Sequence, residues 1–141
     1  MPSQFSKSKI FYSNPELILT LINNFEEYSL FLPGCIESKR IKSPEESKVI
    51  GRLVFSLINK NYIFESLNTT SNYTVDITQH HGPFKEFKAT WRLESIEPNE
   101  TKVFFDMNFE LPMYLQIFAR PSLIEKMGNK FLDAFSQQLS K

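Results

Sequence analysis

The chain is 141 residues long, and its sixteen Lys and Arg are balanced by sixteen Asp and Glu. That length fits one domain, able to bury roughly 68–70% of its unfolded surface. The neutral balance lends no weight to phosphate-driven binding, so no DNA partner is expected. A single cysteine excludes an internal disulfide, whereas fourteen Phe, five Tyr and one Trp make the core, or a cavity within it, aromatic-rich.

The first residues, MPSQFSKSKIF, lack the apolar run of a signal peptide. No stretch reaches the ~20 apolar residues of a membrane-spanning helix. The expectation is a soluble, cytoplasmic chain. Asn68-Thr69-Thr70, Asn72-Tyr73-Thr74 and Asn99-Glu100-Thr101 fit the glycosylation pattern and read as chance matches in polar turns.

In chain order, residues 4–11 alternate loosely and read as a strand. Asn14 offers a helix N-cap, Pro15 suits the first helical position, and Ser13 with Glu16 resembles a capping box. Leu17, Ile18, Leu21, Ile22 and Phe25 recur at helical spacing, which predicts a short helix over 15–23. A second, over 25–31, ends before Leu32-Pro33-Gly34, because a residue preceding proline avoids the α region.

From Cys35 the period changes to two. Val49, Gly51, Leu53, Phe55 and Leu57 alternate with more polar neighbours, then Ile63, Glu65 and Leu67, then Val75 and Ile77. Phe87, Ala89, Trp91 and Leu93 against Lys88, Thr90 and Arg92 form the cleanest strand pattern, repeated by Val103, Phe105, Met107 and Phe109. Short turn signals at Ser43-Pro44-Glu45-Glu46, Asn59-Lys60-Asn61, Ser71-Asn72 and Glu97-Pro98-Asn99-Glu100 imply an antiparallel meander. After Pro112 the helical period returns. Ile124, Met127, Phe131 and Phe135 share a face, with residues 114–119 read as a separate turn or a kinked extension before Pro121.

The predicted fold class is therefore α+β: two short helices after the first strand, and about seven antiparallel strands covered by a long C-terminal helix. A curved sheet gripping one helix leaves space between them, where small molecules bind.

Three stretches carry a family resemblance: Tyr28-Ser29-Leu30-Phe31-Leu32-Pro33-Gly34-Cys35 followed by Ser38 and Arg40; Gly82-Pro83-Phe84-Lys85 with Trp91 beyond; and Phe105 to Phe109 leading into the C-terminal helix. Ser29 stands where the pattern usually has Pro. Together they resemble the coenzyme Q-binding group of START-like helix-grip domains. The resemblance implies one domain over 1–141, with a hydrophobic tunnel holding ubiquinone or a similar polyprenyl quinone, and a non-catalytic carrier or chaperone role in respiration. For bacterial relatives it also implies association with the large ribosomal subunit and a block on subunit joining.

Within such a tunnel the candidate ligand wall comprises Phe31 and Leu32 before the Pro-Gly turn, Leu53, Phe55 and Ile77 on the early strands, and Phe84 and Phe87 around the Gly-Pro turn. Trp91, Phe105, Met107 and Phe109 continue it on the late strands, and Ile124, Met127 and Phe131 on the helix. Phe31 and Leu32 either cap the core or close one end as a gate, and Phe84 is either core or mouth. Gly128 either packs closely against a bulky neighbour or leaves room for a flat ring. Phe31-Leu32 and residues 113–118 are the places able to dip into a bilayer, weakly and reversibly, at the inner membrane.

Other chemistry is poorly represented. A cyclase or aromatase needs a positioned acid or base, and the candidates are Glu65, Glu110, Tyr62 and Tyr114. Cys35 reads as a small buried hydrophobe. His80 and His81, adjacent in a strand-like segment, should point to opposite faces. With one distant Cys they make too few ligands, so no metal is expected. For a ribosome contact, Lys7, Lys9, Lys88 and Arg92 are expected to share the outer sheet face.

Overall fold

A computed structural model describes residues 2–57 and 59–141. The elements are β1 (Ser3–Phe11), α1 (Pro15–Asn23), a 3-10 turn (Phe25–Glu27), α2 (Tyr28–Phe31), β2 (Cys35–Glu45), β3 (Lys48–Leu57) and β4 (Lys60–Ser71). There follow β5 (Thr74–His81), β6 (Glu86–Glu97), β7 (Glu100–Glu110), a second 3-10 turn (Met113–Phe118) and α3 (Pro121–Leu139). The strands form one antiparallel sheet in the order β1-β7-β6-β5-β4-β3-β2.

Local chemistry explains the helical segments. The Asn14 side chain accepts the Leu17 backbone N–H at 2.9 Å and Pro15 opens α1. The capping box does not form. The Ser13 carbonyl accepts the Thr101 hydroxyl, and the Glu16 carboxylate accepts the Tyr73 hydroxyl at 2.7 Å. Because β1 and β2 occupy opposite edges, α1, the first 3-10 turn and α2 must cross the concave side between them. Gly51 makes that crossing possible: a Cβ there would lie 2.1 Å from the Phe25 ring. Residues 114–119 fall mostly in a separate 3-10 turn, and Pro121 starts α3.

Inward residues of β3, β5, β6 and β7 match the expected alternation: Leu53, Val75, Trp91 and Phe105 are all buried. Strand β4 is the exception. Its inward residues are Phe64, Ser66 and Asn68, while Ile63 is 56% exposed on the convex side. Apolar Ile63 and Leu67 outside, with polar Ser66 and Asn68 inside, invert the usual hydrophobic signal and shift the apparent phase by one residue.

Three further expectations are corrected. Lys7 and Lys9 do not share the outer face with Lys88 and Arg92. They pair with Phe105 and Val103 on the concave side, where Lys7 Nζ donates to Asn129 Oδ1 at 2.6 Å and Lys9 binds the Asp133 carboxylate. Edge strand β1 meets the polar margin of α3 there, so ammonium groups are accommodated. Pro44 belongs to edge strand β2, and the turn is Glu46-Ser47. Finally, β5 carries one extra residue against β4: Ser66 pairs with Gln79 but Glu65 with His81. That bulge turns His80 and His81 to the same side, their ring centroids 4.8 Å apart.

Candidate functional site

Between the concave face of the sheet and α3 lies a cavity of about 340 Å³. Its floor is built by inward positions of four adjacent strands. Leu53, Phe55 and Leu57 come from β3, Tyr62, Phe64, Ser66 and Asn68 from β4, Ile77 from β5, and Phe87, Ala89 and Trp91 from β6. Phe105, Met107 and Phe109 of β7 extend it, and Ile124, Met127, Gly128 and Phe131 of α3 form the roof. Leu57, Tyr62, Phe87, Phe109 and the Pro83–Phe84 turn all lie at one end of their strands. Pro33, Gly34, Leu115 and Phe118 complete the wall at that end.

Thirteen of the fourteen predicted wall residues border this cavity: Leu32, Leu53, Phe55, Ile77, Phe84, Phe87, Trp91, Phe105, Met107, Phe109, Ile124, Met127 and Phe131. Phe31 does not. Tyr28 at the start of α2 and Leu32, the extended residue just past its end, both border the cavity, while Phe31 is turned away. Its ring packs edge-on against Tyr28 and Phe135 at 5.8 and 5.1 Å. It borders a separate surface depression with Leu30, Pro33 and Asp133. Sequence reasoning missed Phe64, Ser66 and Asn68 because of the β4 phase. It missed Phe25 and Tyr28 because short helices give too few turns to define a face.

Aromatic rings dominate the deep end. Trp91 is fully buried, with ring centroids of Phe105, Phe135 and Phe131 at 4.8, 5.0 and 5.8 Å. Its indole N–H has no hydrogen-bond acceptor among the described residues. Gly128 is explained by close packing, since a Cβ there would lie 2.5 Å from the Phe5 ring. Gln79 clamps the Phe84 turn: its amide donates to the Phe84 carbonyl at 2.9 Å and accepts the Phe84 N–H at 3.1 Å.

Polar atoms on the wall are few and largely engaged. Asn68 donates to Asn23 Oδ1 at 3.1 Å, and Asn23 donates in turn to Thr70 Oγ1 at 3.0 Å, tying α1 to β4. The Tyr28 hydroxyl donates to the Ile22 carbonyl, and burial holds its pKa far above the usual phenol value. Cys35 is buried behind this wall, and burial pushes its thiol up to about 11.

Among the described residues no carboxylate and no imidazole lines the cavity. Of the four candidates for acid–base chemistry, only Tyr62 reaches it. Glu65 lies on the convex face against Arg52 at 2.7 Å, Glu110 sits 3.6 Å from Lys85, and Tyr114 is exposed. Asn68 is 1% exposed and so inaccessible to a glycosyltransferase.

Comparison with known proteins fits this geometry. "Persistence and stress-resistance toxin PasT" of Escherichia coli O6:H1 is 23% identical over 134 residues, covering 94% of this chain and 84% of that protein. "Ribosome association toxin RatA" of Vibrio cholerae is 22% identical, with 96% and 94% covered. Among solved structures, TTHA0849 of Thermus thermophilus superposes with a TM-score of 0.83 at 14% identity, covering 97% of each chain. The Zhui aromatase/cyclase of Streptomyces sp. R1128 gives 0.71 at 11% identity, covering 99% of this chain and 90% of its own. These structures share the helix-grip fold, in which a seven-stranded sheet wraps a long C-terminal helix. The sequence profile described as "Polyketide cyclase / dehydrase and lipid transport" matches residues 14–136, from the cap of α1 to the last turns of α3. Since that span contains every element bordering the cavity, the chain belongs to the polyketide cyclase / dehydrase and lipid transport family, on the START-like helix-grip fold.

Proposed function

We propose that this protein binds ubiquinone or a similar polyprenyl lipid in its cavity, without catalysing a reaction on it, and supports respiratory electron transport as a carrier or chaperone. The observation that carries this reading is the wall itself: nearly continuous aromatic and aliphatic side chains, with no carboxylate or imidazole among the described residues. General acid–base chemistry needs a positioned titratable group. Those on the wall are Tyr28, whose hydroxyl is engaged by the Ile22 carbonyl, Tyr62 and Lys130. None has a carboxylate or imidazole beside it on the wall, which weighs against a cyclase-like activity. A volume of about 340 Å³ lies at the lower end for ligand pockets, enough for a ring and one or two isoprene units. We place the exit of a longer tail at the end bordered by Tyr62 and Phe118, both of which are half-buried.

Beside that end, Met113, Tyr114 and Ile117 are 90, 68 and 65% exposed. They support loading by transient contact with a bilayer, which suits a cytoplasmic protein working at the periphery of the inner membrane. The test is mass spectrometry of lipids that copurify under non-denaturing conditions, paired with ubiquinone uptake by stripped protein. A quinone in the extract and uptake on add-back are expected. Absence of both would sink the proposal.

The names of the RatA relatives favour a second reading, association with the ribosome, for which the family resemblance implies the large subunit. Lys88 and Arg92 remain on the convex face for such a contact, although Arg92 already meets Glu94 at 2.5 Å and lies over the Phe104 ring. Phosphate contact predicts co-sedimentation that fades steeply with salt and is lost in K88E/R92E. No co-sedimentation at low salt would dismiss it.

A further inference from the structure

The bulge in β5 gathers three metal-binding side chains on the outer surface, behind the cavity wall. Donor atoms of Glu65, His80 and His81 all lie within 4.8 Å of one another. Without the extra residue in β5, strand alternation would send one imidazole to each face. With it, His81 stands directly across from Glu65 and His80 lies beside it. We propose that Glu65, His80 and His81 form a binding site for a borderline-soft divalent cation of the zinc class.

Two imidazoles and one carboxylate are a donor set suited to such an ion, and three protein ligands leave further positions for water. Bonds of about 2.0–2.1 Å place tetrahedral donors roughly 3.3 Å apart. The donors therefore need to close by at most about 1.5 Å, and both histidines are exposed. Glu65 is the fixed member: it is 9% exposed, and Arg52 Nε holds its Oε2 at 2.7 Å. That contact leaves Oε1 for the ion and orients the carboxylate, as hydrogen-bonded carboxylates around metals commonly are. The neighbouring guanidinium charge opposes the cation, so binding is reversible rather than structural. Just beyond, the Gln79 clamp fixes the following turn. An ion here anchors the segment that delivers Pro83 and Phe84 to the cavity, yet touches no cavity ligand.

Isothermal titration of Zn²⁺ into the untagged full-length chain tests this. One ion per chain is expected, with H80A and H81A each weakening binding by at least about tenfold and E65Q doing the same. Both histidines are exposed, so their variants should melt like the wild type without zinc. E65Q also disturbs the Arg52 contact, and the two histidine variants therefore decide the matter. A wild-type chain that takes up no Zn²⁺ at millimolar concentration, or histidine variants that bind as tightly as wild type, overturns the site.

Discussion

Stripping the guest should cost this protein a large share of its stability. An apolar void is penalised at about 24 cal/mol per Å³, so a cavity of about 340 Å³ left dry corresponds to ~8 kcal/mol. That is comparable with the whole stability of an ordinary domain, about 5–15 kcal/mol. Two isoprene units bring about ten carbons, and at about 0.8 kcal/mol for each buried CH₂ they offset a void of this size. Unfolding entropy of about 2.1 cal/mol/K per residue makes 1 kcal/mol equivalent to roughly 3 °C in Tm for this chain. A short-tailed ubiquinone at a hundred times its Kd adds about 2.7 kcal/mol, or roughly 9 °C. Differential scanning calorimetry of stripped and reloaded protein reads this directly. Identical melting temperatures would refute the reasoning, because a guest that fills the void must stabilise the state that holds it.

Three other outcomes are expected. Gly128→Ala gains about 1 kcal/mol of helix propensity but sets a Cβ 2.5 Å from the Phe5 ring. The clash prevails, with a net loss of about 1–2 kcal/mol in urea unfolding, and a stabilised variant would contradict the packing. Asn68→Ala removes the link to Asn23 and should cost about 1–3 kcal/mol. The double variant with Asn23→Ala should lose less than the sum of the single changes. The Cys35 thiol, raised from 9.0 to about 11 by burial, ionises first in the unfolded chain. Stability is intact below pH 9 and falls toward pH 11, and Cys35→Ala should flatten part of that decline. Tyr28 contributes with the same sign, chiefly through burial and in part through Cys35 itself, so the difference between the denaturation midpoints reads the thiol together with its coupling to Tyr28.

Much of the architecture is legible where one physical signal dominates. Trp91 and Phe105 lie on strands whose two faces differ sharply in polarity, so their direction follows from alternation alone. Helix α1 is legible because Asn14 and Pro15 punctuate it. The signal fails where the outside is apolar and the inside polar. Ile63 outside and Asn68 inside defeat any reading of β4, because Asn68 is satisfied by Asn23, which arrives from α1. Likewise no local pattern announces the extra residue at His80, since a bulge is defined by the partner strand. Lys7 and Lys9 look like solvated charges until α3 supplies Asn129 and Asp133 more than a hundred residues later.

The pairing of β1 with β7 also governs when the molecule can close. Phe11 meets Thr101 and Ser3 meets Phe109, so the first strand made waits for the last, roughly ninety residues on, before gaining its partner in the sheet. Synthesis runs from the N-terminus, and contacts so distant in sequence are slow to form. During that interval β1 is an unpaired strand leaving the ribosome, open to pairing with another nascent chain. Lys7 and Lys9, alternating with Ser6 and Ser8, make it a poor template for such pairing. The same lysines that later fasten β1 to α3 thus act earlier as protection against aggregation.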